Sequence, residues 1–188
     1  MEEMLTLIVN EDISLRQIED ADRERLAQLI NREQEYLCQW LAENELKIML
    51  EVGSFISIST MRYLMNGAFD AGIWYRDQLV GIVSLQTINP EKRRSSIGYW
   101  LDREYQGLGI VTQSVSKVVD YAFTVYGLQE LRIVSAVDNR KSCAIPERIG
   151  FRLENKRTEA EKINGKFHDV AVYLLRKDVW TEMQDEQS

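Results

Sequence analysis

The sequence predicts a mixed α/β chain of the α+β kind, with a mostly antiparallel sheet, one parallel strand pair near its middle and flanking helices. Three observations lead there. Ser96–Leu101 is an apolar strand that passes through Gln106-Gly107-Leu108-Gly109 into a helical pattern from Ile110 to Tyr126. It then reaches a second apolar strand, Leu131–Ala136, and a crossover of that kind joins parallel neighbours. Three strand patterns, Ala71–Tyr75, Leu79–Ile88 and Ser96–Leu101, follow one another closely and predict an antiparallel meander. Phe151–Glu159 and Phe167–Leu175 form a last pair across the hairpin signal Asn164-Gly165.

Taken in order, Leu5–Val9 is β-prone, Asn10-Glu11-Asp12 is a turn, and Ile13, Leu15 and Ile18 suggest a returning strand. Asp20 or Asp22 caps the next helix, whose apolar positions Leu26, Leu29 and Ile30 recur at helical spacing. A break is expected near Asn31, after which Tyr36, Leu37, Trp40 and Leu41 continue a helical face. A further helix starts at about Asn44 or Gly53 and ends at Met65, with Ile56, Tyr63 and Leu64 on its buried side and Gly67 as its left-handed cap. Arg76-Asp77-Gln78 joins the first two meander strands, and Asn89-Pro90 and Lys92-Arg93-Arg94 punctuate the step to the third. Lys141–Ile149 reads as a helix capped by Gly150. Pro146 has no N–H, so it belongs in the first turn or bends that helix. These elements make one domain over residues 1–181, with 182–188 as a frayed tail.

A chain of 188 residues is long enough for one domain with a real core, and 45% hydrophobic with 28% charged residues suits a soluble globular protein. Net charge −7 leaves no basic field to steer the chain onto nucleic acid. No apolar run is long enough for a membrane span, and Met1-Glu2-Glu3-Met4 lacks a basic secretory start. Cys38 and Cys143 make no disulfide framework, so a cytoplasmic location is expected. One histidine and two distant cysteines offer no metal ligand set.

The glycine turn carries the first chemical signal. Gly107 and Gly109 tolerate dihedrals that other residues resist and let a ligand approach the main chain. The helix that follows presents unpaired N–H groups at its positive end, and this combination is a ready pyrophosphate site. A dinucleotide loop needs a third glycine three residues on, and a P-loop needs G-x-x-x-x-G-K-(S/T); neither is present. Gln106, two residues, then Gly109 resembles the acyl-CoA-binding motif of the GNAT N-acetyltransferases. Val111 departs from that motif at a position where a small residue is usual.

A second cluster agrees. Asn139, Ser142, Ile145, Gly150 and Phe151 resemble a signature of the RimJ/RimL subgroup of GNAT proteins, as do Ile97-Gly98-Tyr99-Trp100-Leu101 and the segment from Glu159 to Asp169. The resemblance runs from about Leu15 to Trp180, strong from Ile97 onward and weak in the N-terminal helices. It implies the GNAT acyl-CoA N-acyltransferase fold, in which the central parallel strands splay and the pantetheine lies between them. It also implies acetyl-CoA as co-substrate and direct transfer to a primary amine in a ternary complex. The acceptor is a protein N-terminus of the ribosomal-protein type or a small amine. A homodimer is common in this subgroup. The rival reading is a non-catalytic acyl-CoA-binding regulatory or interaction module of the same fold.

Attack by a neutral amine on a thioester requires proton removal, a donor for the developing oxyanion and a donor for the departing thiolate. An α-amine titrates at about 7.7–8.0, so no strong base is needed. The resemblance implies Ser142 as donor to the sulfur and Glu161 as general base, with Glu159 as its substitute. Ser142 is equally a helix-start hydroxyl, and Glu161 equally part of a solvated face. Main-chain N–H groups at Trp100 and Leu101 are expected on the pantetheine or thioester. Those of Gly107 through Val111, with Leu108 and Ile110 in the same turn, are expected on pyrophosphate, assisted by Gln106 and Thr112. Asn139 is expected to shape the loop and touch CoA. His168 is expected to pair with Asp169, Cys143 and Cys38 to pack, and Tyr36, Trp40 and Trp74 to serve the core or the acceptor wall.

Overall fold

In the computed structural model, which describes residues 4–186, eight strands form one sheet in the order β1-β2-β3-β4-β5-β6-β8-β7. The strands are β1 Thr6–Ile8, β2 Ile13–Gln17, β3 Phe69–Tyr75, β4 Gln78–Leu85, β5 Arg94–Leu101, β6 Glu130–Ala136, β7 Arg152–Ile163 and β8 Lys166–Arg176. The helices are α1 Arg23–Leu37, α2 Glu43–Leu50, α3 Val52–Asn66, α4 Ile110–Thr124, α5 Arg140–Ile149 and α6 Lys177–Asp185. All neighbouring pairs are antiparallel except β5–β6, the pair joined by the predicted crossover through α4.

That parallel pairing is short. Arg94, Ser95 and Ser96 pair with Glu130, Leu131 and Arg132, and there it stops. Beyond Ser96, β5 stays paired with β4; beyond Arg132, β6 stays paired with β8. The two strands therefore diverge into a cleft, as expected from the resemblance.

The sheet separates two apolar layers. On one side Ile110, Val115, Val118, Val119, Ala122 and Phe123 of α4 bury themselves against Ala71, Ile73, Val83, Leu85, Ile97 and Leu131. On the other, α1, α2 and α3 pack Leu26, Ile30, Leu37, Met49 and Phe55 against Trp74, Ile82 and Trp100. The alternation of strand side chains sends Ile73 to one layer and Trp74 to the other.

Several local expectations are corrected. Neither Asp20 nor Asp22 caps α1 through its side chain; Glu19 and Asp22 instead form a capping box over a 3-10 turn that leads into it. No break occurs at Asn31, because Glu33, one turn below Ile30, is buried and accepts from Arg103 Nε at 3.0 Å. Of the two starts expected for the next helix, Gly53 agrees with α3, while the stretch from Asn44 forms a separate helix, α2, divided from it at Glu51. Leu64 is exposed, since the buried stripe of α3 runs through Phe55, Ile56 and Ser59. Pro146 lies in the middle of α5 rather than in its first turn. Residues 182–185 continue α6 instead of fraying. The readings for Met1–Glu3, and that of a frayed tail at Gln187 and Ser188, lie outside the described residues.

Candidate active site

The cleft between β5 and β6 opens into a cavity of about 980 Å3. At one end lies the glycine turn. Asp102, fully buried, accepts the Glu104 N–H at 2.9 Å and pairs with Arg32, which fixes the 3-10 turn Arg103–Tyr105 just before the loop. Gly107 and Gly109 then take φ of +80° and +74°. A Cβ on Gly107 would meet nothing within 4 Å, and one on Gly109 only the end of Gln113 at 3.6 Å, so the space over both residues is open. The first α4 bond runs from the Gln113 N–H to the Gly109 carbonyl at 3.0 Å, which leaves the Ile110, Val111 and Thr112 N–H groups ahead of the helical ladder. Gln106, Gly107, Gly109, Ile110, Val111 and Thr112 all line the cavity; Leu108 does not and is exposed.

The Gln106 side chain is committed to protein partners. It donates to the Tyr36 hydroxyl at 2.9 Å and accepts from Lys141 Nζ at 3.0 Å, tying α1 to α5 across the cleft. Val111 is buried in the core layer beneath α4.

Ladder geometry sorts the two predicted main-chain donors of β5. The Asp102 N–H bonds Val80 and the Ser96 carbonyl accepts from Gln86, so even-numbered residues of β5 face β4. Trp100 is one of these, and its N–H serves the sheet. Ile97, Tyr99 and Leu101 are the residues whose main-chain groups face the cleft, a correction for Trp100 and a consistent position for Leu101.

On the β6 side, Asn139 caps α5 by accepting the Ser142 N–H at 3.2 Å, and both residues line the cavity. The Ser142 hydroxyl lies 3.4 Å from the Tyr99 hydroxyl, which itself donates to the Ser142 carbonyl at 2.9 Å. Burial pushes the Tyr99 hydroxyl far above its usual value, so it stays a protonated donor. Cys143 is turned away from the cavity: it packs against the core layer with its thiol 3.5 Å from the Ala136 carbonyl.

At the far end, Glu161 lines the cavity and Glu159 does not. The strand reaches Glu161 through a bulge: pairing jumps from Arg157 opposite Val170 to Glu161 opposite His168, so three residues of β7 face Asp169 alone. Glu159 takes a φ of +46° there, and its N–H donates to Asp169 Oδ1 at 2.9 Å. Bulges of this kind re-aim side chains beside active sites. Asp169 therefore braces the bulge rather than pairing with His168, which lies 3.8 Å from Asp138. The tip of the β7–β8 hairpin reaches across to α2, where Glu43 accepts the Gly165 N–H at 2.8 Å and pairs with Lys162 at 3.2 Å.

Two groups escape sequence reasoning. Glu45, on α2, lines the cavity with Glu161. It is reachable by solvent within that enclosure, yet desolvation, followed by the like charges of Glu161 and Asp70, raises its carboxyl above the ordinary range. Nothing in its local spacing marks it. Tyr99 does have a signal: a proline four residues after Ser142 leaves the Ser142 carbonyl without its helical donor. Tyr36 and Trp40 also line the cavity, while Trp74 is core. Among the described residues, no group of three or more His, Cys, Asp or Glu is placed to hold a metal, and no helix is long and apolar enough to cross a membrane.

Comparison with known proteins supplies a context for this geometry. Residues 12–152 match the model of the acetyltransferase (GNAT) domain. A putative ribosomal N-acetyltransferase, YdaF of Bacillus subtilis, is 38% identical over 179 residues, covering 94% of this chain and 98% of the relative. The solved structure of RimL, a ribosomal L7/L12 alpha-N-protein acetyltransferase in complex with coenzyme A, superposes with a TM-score of 0.86 at 26% identity, over 92% of this chain and 98% of that one. MccE, a microcin C7 self-immunity acetyltransferase solved with acetyl-CoA and AMP, gives 0.82 at 30% identity, over 89% and 94%.

Proposed function

Because this chain belongs to the GNAT acetyltransferase family and acetylates amines from acetyl-CoA, we propose that its acceptor is the α-amine of a protein N-terminus of the ribosomal-protein type. The resemblance to YdaF and RimL supports that acceptor class. The observation that carries the reading is the continuity of one cavity, lined by the open glycine turn, Ser142, Glu161, Tyr36 and Trp40, so that both substrates share one space.

The residues present fit the coenzyme: two glycines with open space above them, and unpaired N–H groups at the start of α4. Acetyl-CoA supplies the activated thioester. Gly107 through Thr112 hold its pyrophosphate by main-chain N–H groups. The Leu101 N–H, facing the cleft, binds along the pantetheine or at the thioester oxygen. Ser142 donates its hydroxyl proton in a hydrogen bond to the sulfur as it gains charge. Glu161 takes a proton from the acceptor amine, a modest task for an α-amine that titrates at about 7.7–8.0. With Cys143 turned away from the cavity, transfer is direct, in a ternary complex, without an acyl-cysteine. The cytoplasm is the proposed place of action.

Calorimetric titration with acetyl-CoA, followed by thiol release with N-terminal peptides and with small amines, tests the reading. Saturable binding with release on peptide N-termini is the expected result. Release only with small amines overturns the acceptor, and no binding overturns the site.

A further inference from the structure

We infer that Tyr99 is a positioning residue for Ser142, standing in for the helical hydrogen bond that Pro146 deletes. The inference rests on the role proposed for Ser142 above. In a regular helix the Ser142 carbonyl receives the N–H of the residue four positions on. Here that residue is Pro146, which has no N–H, and α5 continues regardless to Ile149. A carbonyl left open in this way ordinarily brings a kink or a water. In this chain the acceptor is filled from across the cleft: the Tyr99 hydroxyl donates to it at 2.9 Å.

The contact has two consequences. First, Tyr99 stands on β5 and Ser142 on α5, so the bond spans the gap where β5 and β6 no longer pair and sets how far Ser142 stands from the strand bearing the Leu101 N–H. Second, the single Tyr99 proton is spent on the carbonyl. Tyr99 can then only accept from the Ser142 hydroxyl 3.4 Å away, which makes Ser142 the donor of the pair, its proton held in a long bond that turning to sulfur exchanges for a new one. The proline and the tyrosine form one device: the proline opens a carbonyl, and the strand uses it to locate the serine.

The test measures kcat and the acetyl-CoA KM, per mole of CoA-binding protein, for Tyr99→Phe, Pro146→Ala, the double variant and Ser142→Ala. Tyr99→Phe is expected to lower kcat about fivefold, the worth of one neutral hydrogen bond, with KM held within about twofold. Pro146→Ala alone keeps the bridge, because a carbonyl accepts two hydrogen bonds, and kcat stays near that of the wild type. In the double variant the alanine N–H fills the Ser142 carbonyl from within the helix but spans no gap, and kcat stays as low as in Tyr99→Phe. An unchanged kcat for Tyr99→Phe overturns the inference, and so does a loss of stability without a loss of kcat. A double variant that recovers the wild-type kcat also overturns it, because a filled carbonyl would then suffice without the bridge. If Tyr99→Phe alone folds poorly, the double variant compared with Pro146→Ala carries the same decision, a slower double variant supporting the inference and equal kcat overturning it. Ser142→Ala separates the two levels. If it is slow while Tyr99→Phe is not, only the inference about Tyr99 falls; if it runs at full rate, the assignment of Ser142 falls and takes the inference with it.

Discussion

Replacing Gly109 by alanine separates the fold's need for that residue from the ligand's. Gly109 sits at a φ of +74°, and its new Cβ would meet only the end of Gln113 at an ordinary 3.6 Å. No protein atom has to move, so the folded state bears only the strain of a side chain in the left-handed region, roughly 1–2 kcal/mol. For a chain of this size that is a fall of about 2–8 °C in Tm. The methyl group points into the space proposed for pyrophosphate. There it acts as an overpacked contact of about 1–3 kcal/mol, a five- to 150-fold or so weaker Kd for CoA. Gly165 provides the matched control: φ is +77°, nothing lies within 4 Å of its Cβ, and it sits at the hairpin tip. Gly165→Ala should show a similar fall in Tm and an unchanged Kd. Calorimetry with CoA and thermal melts on the same preparations give both numbers. A Gly109→Ala protein that binds CoA within about twofold of wild type refutes the placement of the ligand over this turn. A Gly165→Ala protein that binds equally poorly assigns the loss to general destabilisation.

Three further outcomes concern Glu161, Glu45 and Cys143. Glu161→Gln should lower kcat about 100-fold or more at neutral pH while leaving CoA affinity intact, and undiminished turnover removes Glu161 as base. Glu45→Gln should raise Tm at pH 7. The folded state holds the Glu45 proton more tightly than the unfolded chain, so its contribution is full below the ordinary value of 4.5 and is lost as pH rises through the raised one. Melts from pH 4 to 8 should show the gap between variant and wild type opening as pH rises, and a gap that narrows reverses the sign of the argument. Cys143→Ala should keep kcat within about threefold of wild type in the thiol-release assay. Abolished turnover with intact CoA binding would bring the acyl-cysteine route back.

What the sequence made legible was local chemistry with short reach. Glycine and asparagine at positive φ marked Gly67, Gly109, Gly150 and the Asn164-Gly165 turn, because the backbone conformation they permit is a property of the residue itself. The crossover that makes β5 and β6 parallel was legible for the same reason, as spacing along one stretch of chain. The misses turn on contacts or helical phase that local spacing does not carry. A break is expected near Asn31, yet α1 runs on through Glu33, whose partner Arg103 stands 70 residues on. Leu64 is as apolar as Ile56, but it sits about two and a half turns beyond Phe55 and so faces away from the sheet. His168 was matched with its neighbour Asp169, yet successive strand residues point to opposite faces, and Asp169 was needed by the bulge at Glu159. Glu45 lies where the resemblance was weakest, and only the fold brings it to Glu161.

The brevity of the β5–β6 pairing reaches beyond catalysis. Three residue pairs are all that stitch the half-sheet β1–β5 to the half-sheet β6–β8, and past Ser96 the backbone of Ile97, Tyr99 and Leu101 turns toward a neighbour that is not a strand. The sheet thus has a seam, and a pantetheine bound along it, as proposed above, would serve as a thread as well as a substrate. Binding there adds RT ln(1 + [L]/Kd) to the stability of the whole chain, concentrated where its own hydrogen bonding is thinnest. Amide protons on the two lips of the seam should exchange faster than those of β3 and β4 and slow the most when CoA is added. On that reading the supply of coenzyme bears on the persistence of the fold as well as on the rate of the reaction.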